Sequence, residues 1–383
     1  MGKRLRLGFV YLWDESWLGG VYYTHNLIKA LNTLPEEKKP IIHFYCLNDK
    51  AFDDIQLQTH YPYIEKIILK SSFGKRLYRK LISFFSASSA ERFNIYNIDK
   101  DDDIVYPLSE GAAPPKRVYW HPDFQEKHLP DFFSPKEIAA RNNIINRCCR
   151  LSIPIVFSSY DSQKDFHSFY PQYITHPTYV VHFAANLDDF SDVDIEIVKK
   201  KYDINKPYLL CANQFWKHKN HLFLFRAFHR ASREGLDMQL VCTGRLSDDR
   251  SPNYIDEIKS YIFSNHLEKR VLTLGMIEKK ELLCLMKNSY AVVQPSLFEG
   301  WNTTVEDCKA MSKFVFLSDL SVHREQIDRN VCFINPHDED ELANKLLTVK
   351  PEEEYYDYSN NVKKFGEEFL HVIETIGSKS LKH

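Results

Sequence analysis

Residues 298–307 read FEGWNTTVED. Two carboxylates, Glu299 and Glu306, flank Gly-Trp-Asn-Thr-Thr, and Asp307 follows directly. The preceding AVVQPSL has the pattern of a buried strand ending in a turn near Pro295. Thr303 or Thr304 suits the N-cap of a helix through VEDCKAM. Three chemistries place two acids this way: an acid/base pair acting on a sugar, a metal site, or a clamp on a phosphorylated ligand. The strand, turn and helix crowd the amides of Gly300, Trp301, Asn302 and Thr303 at a helix N-terminus, where a diphosphate is favoured. Glu306, in the first turn, can accept both hydroxyls of a ribose, and Glu299 faces the reacting sugar. A lone T-x-x-E would only close a capping box. The complete string FEGWNTT favours a ligand site.

A second signal is ANQFWKHKNHLFLF at 212–225. A strand ends at Asn213 and a helix begins near His221, with Lys217, His218 and Lys219 between them. A lysine at a strand end is a point charge for phosphate oxygens. KHK by itself would be a solvated basic loop. It gains weight because it falls at the same end of the same predicted sheet as FEGWNTT. Arg245, after the strand MQLVCTG, is a second-rank phosphate candidate. Gly275, where RVLTLG ends, marks the place for a nucleobase.

The elements that must position these residues alternate strand and helix through both halves. In the first half the strand candidates are LRLGFVYLW, IIHFYCL, DIVYPL, RVYW and IPIVFSS. SPKEIAARNNIINRCCRL is a helix with Ser134 as N-cap and Pro135 in its first turn. The second half repeats the pattern from PYLLCAN to FVFLSD. The expected fold class is α/β, with two doubly wound, mostly parallel sheets. The expected bounds are 1–185, a linker at 186–206, a second domain at 207–350, and a terminal helical region at 351–383 that returns to the first domain. Ligands in such sheets bind beyond the carboxyl ends of the strands.

These residues resemble the retaining glycosyltransferases of family 4, which have the GT-B fold, two Rossmann-like domains with an interdomain cleft. The family signature sets two acids eight positions apart. The resemblance is greatest to a subgroup with FEGW followed by SD-x-x-VHREQ, matched here by LSDLSVHREQ at 317–326. It implies that Glu299 holds the donor sugar and that Lys219 holds the diphosphate with Gln214, which stands where the family has arginine. An ungapped match makes Asp307 the second acid, and a one-residue gap makes it Glu306, the preferred reading. Gly19 and Gly20 match the glycine loop after the first strand, on the acceptor side. YWHPDFQEKHLPDFF at 119–133 also fits. There the resemblance puts a histidine near the transferred sugar, either His121 or His128, with Asp123 on the acceptor side. It implies metal-independent transfer by front-side attack, with no cofactor beyond the sugar nucleotide.

Composition agrees with a globular enzyme: 383 residues, 44% hydrophobic, 27% charged and a net charge of −2. That charge gives no field for nucleic acid. The eight cysteines form no CxxC pair and read as buried thiols in a reducing compartment. No signal peptide or membrane span is expected, so the expected location is cytoplasmic. SSFGKRLYRKLISFFS at 71–86 has an apolar face and a basic face, which suits an interfacial helix at a membrane beside a lipid-linked acceptor. The sequence therefore predicts a retaining transferase moving a sugar from a nucleotide-diphosphate sugar to a glycan or lipid-linked glycan, as in polysaccharide or O-antigen synthesis. The competing readings are a non-catalytic sugar-nucleotide or glycan-binding protein of the same fold, and a phosphorylase- or epimerase-like enzyme.

Overall fold

The computed structural model describes residues 4–11, 18–69, 102–107 and 117–380. It divides into two compact units. One comprises Met1–Phe124, Phe133–Asn186 and Ser359–His383, and the other Gln125–Phe132 and Leu187–Tyr358. The basic stretch 71–86 lies outside the described residues.

The first unit contains a parallel sheet of four strands in the order β3-β2-β1-β4. These are β1 Arg6–Val10, β2 Ile41–Cys46, β3 Ile64–Ile68 and β4 Ile104–Tyr106. A second parallel sheet, β5-β6-β7, holds Tyr119–His121, Ile155–Phe157 and Thr178–Val180, and a bridge from Val105 to Arg117 joins its path to β4. Helices α1 (Leu18–Asn32), α2 (Asp49–Thr59), α4 (Pro135–Arg150) and α5 (Tyr160–Phe169) belong to this unit, and α3 (Gln125–His128) is grouped with the other. Helix α4 starts as its sequence requires. Ser134 and Glu137 close a reciprocal capping box with proline in the first turn. Gly19 and Gly20, expected in the loop after β1, instead lie in the first turn of α1, because the helix begins at Leu18.

The second unit is one parallel sheet of six strands, β10-β9-β8-β11-β12-β13. These are β8 Tyr208–Ala212, β9 Gln239–Thr243, β10 Val271–Gly275, β11 Ala291–Gln294, β12 Val315–Ser318 and β13 Val331–Ile334. The helices are α6 (Ile195–Lys201), α7 (His221–Arg233), α8 (Tyr254–Ser264), α9 (Lys279–Asn288), α10 (Thr303–Met311), α11 (Ser321–Gln326) and α12 (Glu339–Thr348). Alternate residues feed the two faces. Leu209 and Cys211 enter one apolar cluster, while Tyr208 and Leu210 enter the other. Both faces are therefore covered, as a parallel sheet requires. The stretch 186–206, expected as a linker, is mostly structured on this unit. Leu187, Phe190, Val193 and Ile195 pack beside Val198 of α6 against the sheet. Its apolar residues have a face to bury, which a free linker would not.

The last helix, α13 (Ser359–Ser380), packs on α1 within the first unit. Gly366 sits where a Cβ would come 2.4 Å from the Ala30 carbonyl oxygen, whereas a Cβ at Gly377 would meet Ile104 at 3.8 Å, an ordinary contact. This close approach has a measurable consequence. Gly366→Ala should cost about 2 kcal/mol or more of stability, because backbone rather than a flexible side chain must move. Gly377→Ala should be neutral or gain up to about 1 kcal/mol from helix propensity. Urea unfolding of the two variants side by side tests this, and equal losses would contradict it.

Candidate active site

The site is assembled at the carboxyl edge of the six-stranded sheet. Residues after β8 form a tight turn, Lys217–Lys219, followed by Asn220 in the left-handed region at φ 63°. Asn220 donates through Nδ2 to the carbonyls of Pro295 (3.2 Å) and Pro336 (2.9 Å). The Leu297 amide donates to the His218 carbonyl at 2.8 Å. These bonds bind the KHK turn to the FEGW loop. Lys219 Nζ thereby stands 2.6 Å from Glu299 Oε1, with their side chains only 13% and 9% exposed. Asn302 Nδ2 donates to the same oxygen at 3.1 Å.

Helix α10 is capped by Asn302, where the sequence pointed to Thr303 or Thr304. Asn302 is extended (φ −94°, ψ 115°), and its Oδ1 accepts from the Val305 amide at 3.2 Å. The asparagine side chain satisfies an amide two residues beyond the first helical position, so the helix starts at Thr303. Thr304 Oγ1 donates to the Ala212 carbonyl at 3.1 Å and pins the first helical turn to the end of β8. Gln326, in α11, holds both sides of Asn302. Its Oε1 accepts from the Asn302 amide (3.2 Å) and its Nε2 donates to the Asn302 carbonyl (2.8 Å). The Asn302 N–H, one of the amides expected to meet a diphosphate, is thus already engaged.

The two candidate second acids differ sharply. Glu306 is buried, and its carboxylate accepts from Gln326 Nε2 (2.9 Å), Lys309 Nζ (2.9 Å) and the Tyr358 hydroxyl. Asp307 is partly buried, and among the described residues its carboxylate has neither a hydrogen-bond nor an ion-pair partner. Burial raises its pKa to about 7, with Lys279 opposing and Glu306 and Asp188 adding to the rise. Lys279 itself pairs with Asp188 at 3.0 Å.

The other candidates fall around this centre or away from it. Gln214 Oε1 accepts from the Arg245 amide at 3.1 Å, and the Phe215 amide donates to the Arg245 carbonyl at 3.1 Å, so these two strand-end loops are laced together. Arg245 is exposed. Gly244 has φ 129°, and a Cβ there would lie 2.1 Å from the Asn213 carbonyl oxygen; only glycine allows the two loops to approach this closely. Gly275 also has positive φ, at 70°. Gly300 is buried and Trp301 partly so. His128 belongs to this unit and lies against Phe298, with ring centroids 5.1 Å apart and the planes tilted by 30°. His121 and Asp123 belong to the first unit, as do Gly19 and Gly20. His121 is buried, and burial, with Arg141 adding, lowers its basicity to about 3, so the ring is neutral. Among the described residues no cluster of three His, Cys, Asp or Glu has metal-binding geometry.

Two residues escaped the sequence reading. Gln326 and His323 lie in VHREQ, a string noted as a motif but given no role. His323 is buried, its Nδ1 lies 2.7 Å from the Ser318 carbonyl, and among the described residues its Nε2 has no partner.

The comparisons with known proteins are consistent with this geometry. Residues 193–368 match the glycosyl transferases group 1 family. Over 171 residues the chain is 25% identical to the O-antigen chain mannosyltransferase RfbU of Salmonella typhimurium, a match spanning 45% of this chain and 44% of that protein. The chain thus spans under half the length of this curated relative. Across 99% of both chains it superposes on Anabaena HepE (Alr3699) in complex with UDP and glucose, with a TM-score of 0.63 and 16% identity. It also superposes on the UDP-forming alpha,alpha-trehalose-phosphate synthase of Burkholderia vietnamiensis, with a TM-score of 0.64 and 11% identity, covering 99% of this chain and 100% of that one. The fold is GT-B, with parallel sheets in two Rossmann-like units.

The raised pKa of Asp307 has a signed consequence for stability. A folded-state value of about 7 against an ordinary one near 3.8 means that the folded chain holds a proton that the unfolded chain has lost. Stability is therefore fully present below about pH 4 and falls as pH rises toward 7. Asp307→Asn should melt above wild type at pH 8, by a margin that shrinks toward zero near pH 4. A constant margin across that range would show that Asp307 is not so perturbed.

Proposed function

We propose that this protein is a retaining, metal-independent glycosyltransferase. It moves a sugar from a nucleotide-diphosphate sugar to a glycan or lipid-linked glycan acceptor, in the manner of polysaccharide or O-antigen synthesis. The observation that carries the reading is the meeting of Lys219, Glu299 and the N-terminus of α10 at one edge of a parallel sheet. A phosphate-binding cation, a sugar-binding carboxylate and a helix N-terminus together suit a sugar diphosphate. The family match and the likeness to an O-antigen mannosyltransferase support the same reaction class.

In this reading Glu299 accepts hydrogen bonds from the donor sugar. Lys219 takes charge on the diphosphate as the glycosidic bond breaks, assisted by amides at Gly300 and Thr303, with Gln214 and Arg245 at the flank. The acceptor hydroxyl enters on the face from which the diphosphate leaves, so the anomeric configuration is kept. The leaving diphosphate, still held by the site, is the nearest base for the hydroxyl proton. The protein's contribution is positioning and electrostatic stabilisation of the leaving group. Asp307 is assigned the ribose hydroxyls in place of Glu306, the acid preferred from sequence, because the Glu306 carboxylate is already occupied by three donors. Glu306 then serves to hold α10 in place. His128, beside Phe298, is favoured over the buried His121 as the histidine near the transferred sugar.

A thermal-shift screen with UDP, GDP, ADP and CDP, with and without EDTA, tests this. One diphosphate should raise the melting temperature regardless of EDTA, and a ligand at about 100 times its Kd adds roughly 2.7 kcal/mol. Lys219→Ala should abolish the shift. Asp307→Asn should weaken it several-fold more than Glu306→Gln does, once each is compared with its own ligand-free melt. No shift with any nucleotide would remove the donor site and leave a non-catalytic protein of this fold. A shift lost with EDTA would overturn metal independence. Proton NMR of the product's anomeric signal decides retention.

A further inference from the structure

The two charges assigned to the donor are, in this structure, bound to each other. Glu299 is the partner of Lys219 at 2.6 Å, and among the described residues the only other group on the Glu299 carboxylate is the neutral Asn302 amide. Both side chains are largely withdrawn from water, so neither charge is idle. From this we infer that the Lys219–Glu299 pair is an internal occupant of the donor site. Its replacement at both ends makes the site select an intact nucleotide-diphosphate sugar over the nucleoside diphosphate left after transfer. The inference rests on the donor-site reading above.

A bare diphosphate draws Lys219 away and leaves Glu299 nearly buried beside one amide. A half-removed buried pair is costly because the remaining charge loses its partner without regaining water. His323, on α11, is buried and feels both charges of the pair, and its Nδ1 is committed to the Ser318 carbonyl at 2.7 Å. Burial lowers the basicity of its ring, with Lys219 adding to the effect and Glu299 and the Ser318 hydrogen bond opposing it, so it is a poor replacement cation for the abandoned carboxylate. A donor sugar removes the penalty, since its hydroxyls donate to Glu299 while the diphosphate takes Lys219. After transfer the sugar is gone, Glu299 pulls Lys219 back, and the diphosphate is expelled.

Isothermal titration of wild type and Glu299→Gln with UDP, UDP-glucose, GDP and GDP-mannose is the test. The variant should bind the matching bare diphosphate roughly tenfold tighter, a change of about 1.4 kcal/mol. It should bind the matching sugar nucleotide no tighter than wild type, so the preference for the intact donor shrinks. If Glu299→Gln fails to fold by circular dichroism, Glu299→Asp, one methylene short of Lys219, should shift affinity in the same direction by a smaller factor. A variant that binds the diphosphate no tighter than wild type, while wild type binds it measurably, overturns the inference alone. Absence of binding by any of the four nucleotides to wild type overturns the donor-site reading and this inference with it.

Discussion

Lys219 and Glu299 are eighty residues apart in sequence and 2.6 Å apart in space. Each is largely shielded from water, so each needs the other, and the surrounding loops are held to keep them together. Asn220 reaches the carbonyls of Pro295 and Pro336, and Leu297 donates to His218. Thr304 closes the first helical turn onto Ala212. Three segments from different parts of the chain thus meet at one sheet edge. A rigid edge suits a transferase whose catalytic power would come from fixed charges facing a leaving group.

The second layer of this arrangement is the Asn302–Gln326 exchange. A single glutamine brackets the two peptide groups that flank Asn302 and also donates to Glu306. Side chains that hydrogen-bond backbone in this way hold a turn at a helix start in one conformation. The consequence is a division of labour between neighbouring acids. Glu306 is drawn into the network through Gln326, Lys309 and Tyr358, while the oxygens of Asp307, one residue on, have no partner among the described residues. One residue along a helix is a rotation of about 100°, enough to separate the two environments.

The first unit shows the same dependence on buried polar contacts. Asp102 accepts from Tyr45 at 2.6 Å and lies 2.5 Å from His43 Nδ1. A Cβ at Gly8 would come 2.5 Å from its carboxylate. The missing side chain on β1 is what leaves room for a buried acid between its neighbours. Nothing in the local pattern of RLGFV announces this, because the partners come from β2 and from the residue two positions before β4.

Much of the architecture was legible because it rests on short-range rules. Short apolar runs marked the strands, Ser134 with Pro135 marked a helix start, and FEGWNTT and KHK do fall at one edge of the same sheet. The different surroundings of Glu306 and Asp307 were not legible. The partners that engage Glu306, Gln326 and Tyr358, lie twenty and fifty-two residues away. The N-cap moved from threonine to Asn302 because Gln326 fixes that peptide. The stretch 186–206 read as a linker because its apolar residues are spaced irregularly, and only the sheet face beneath them explains their burial. Residue type and local spacing determine which elements form and which groups carry charge. The tertiary structure decides which of those charges is already satisfied, because a charge's partners are set by distance in space.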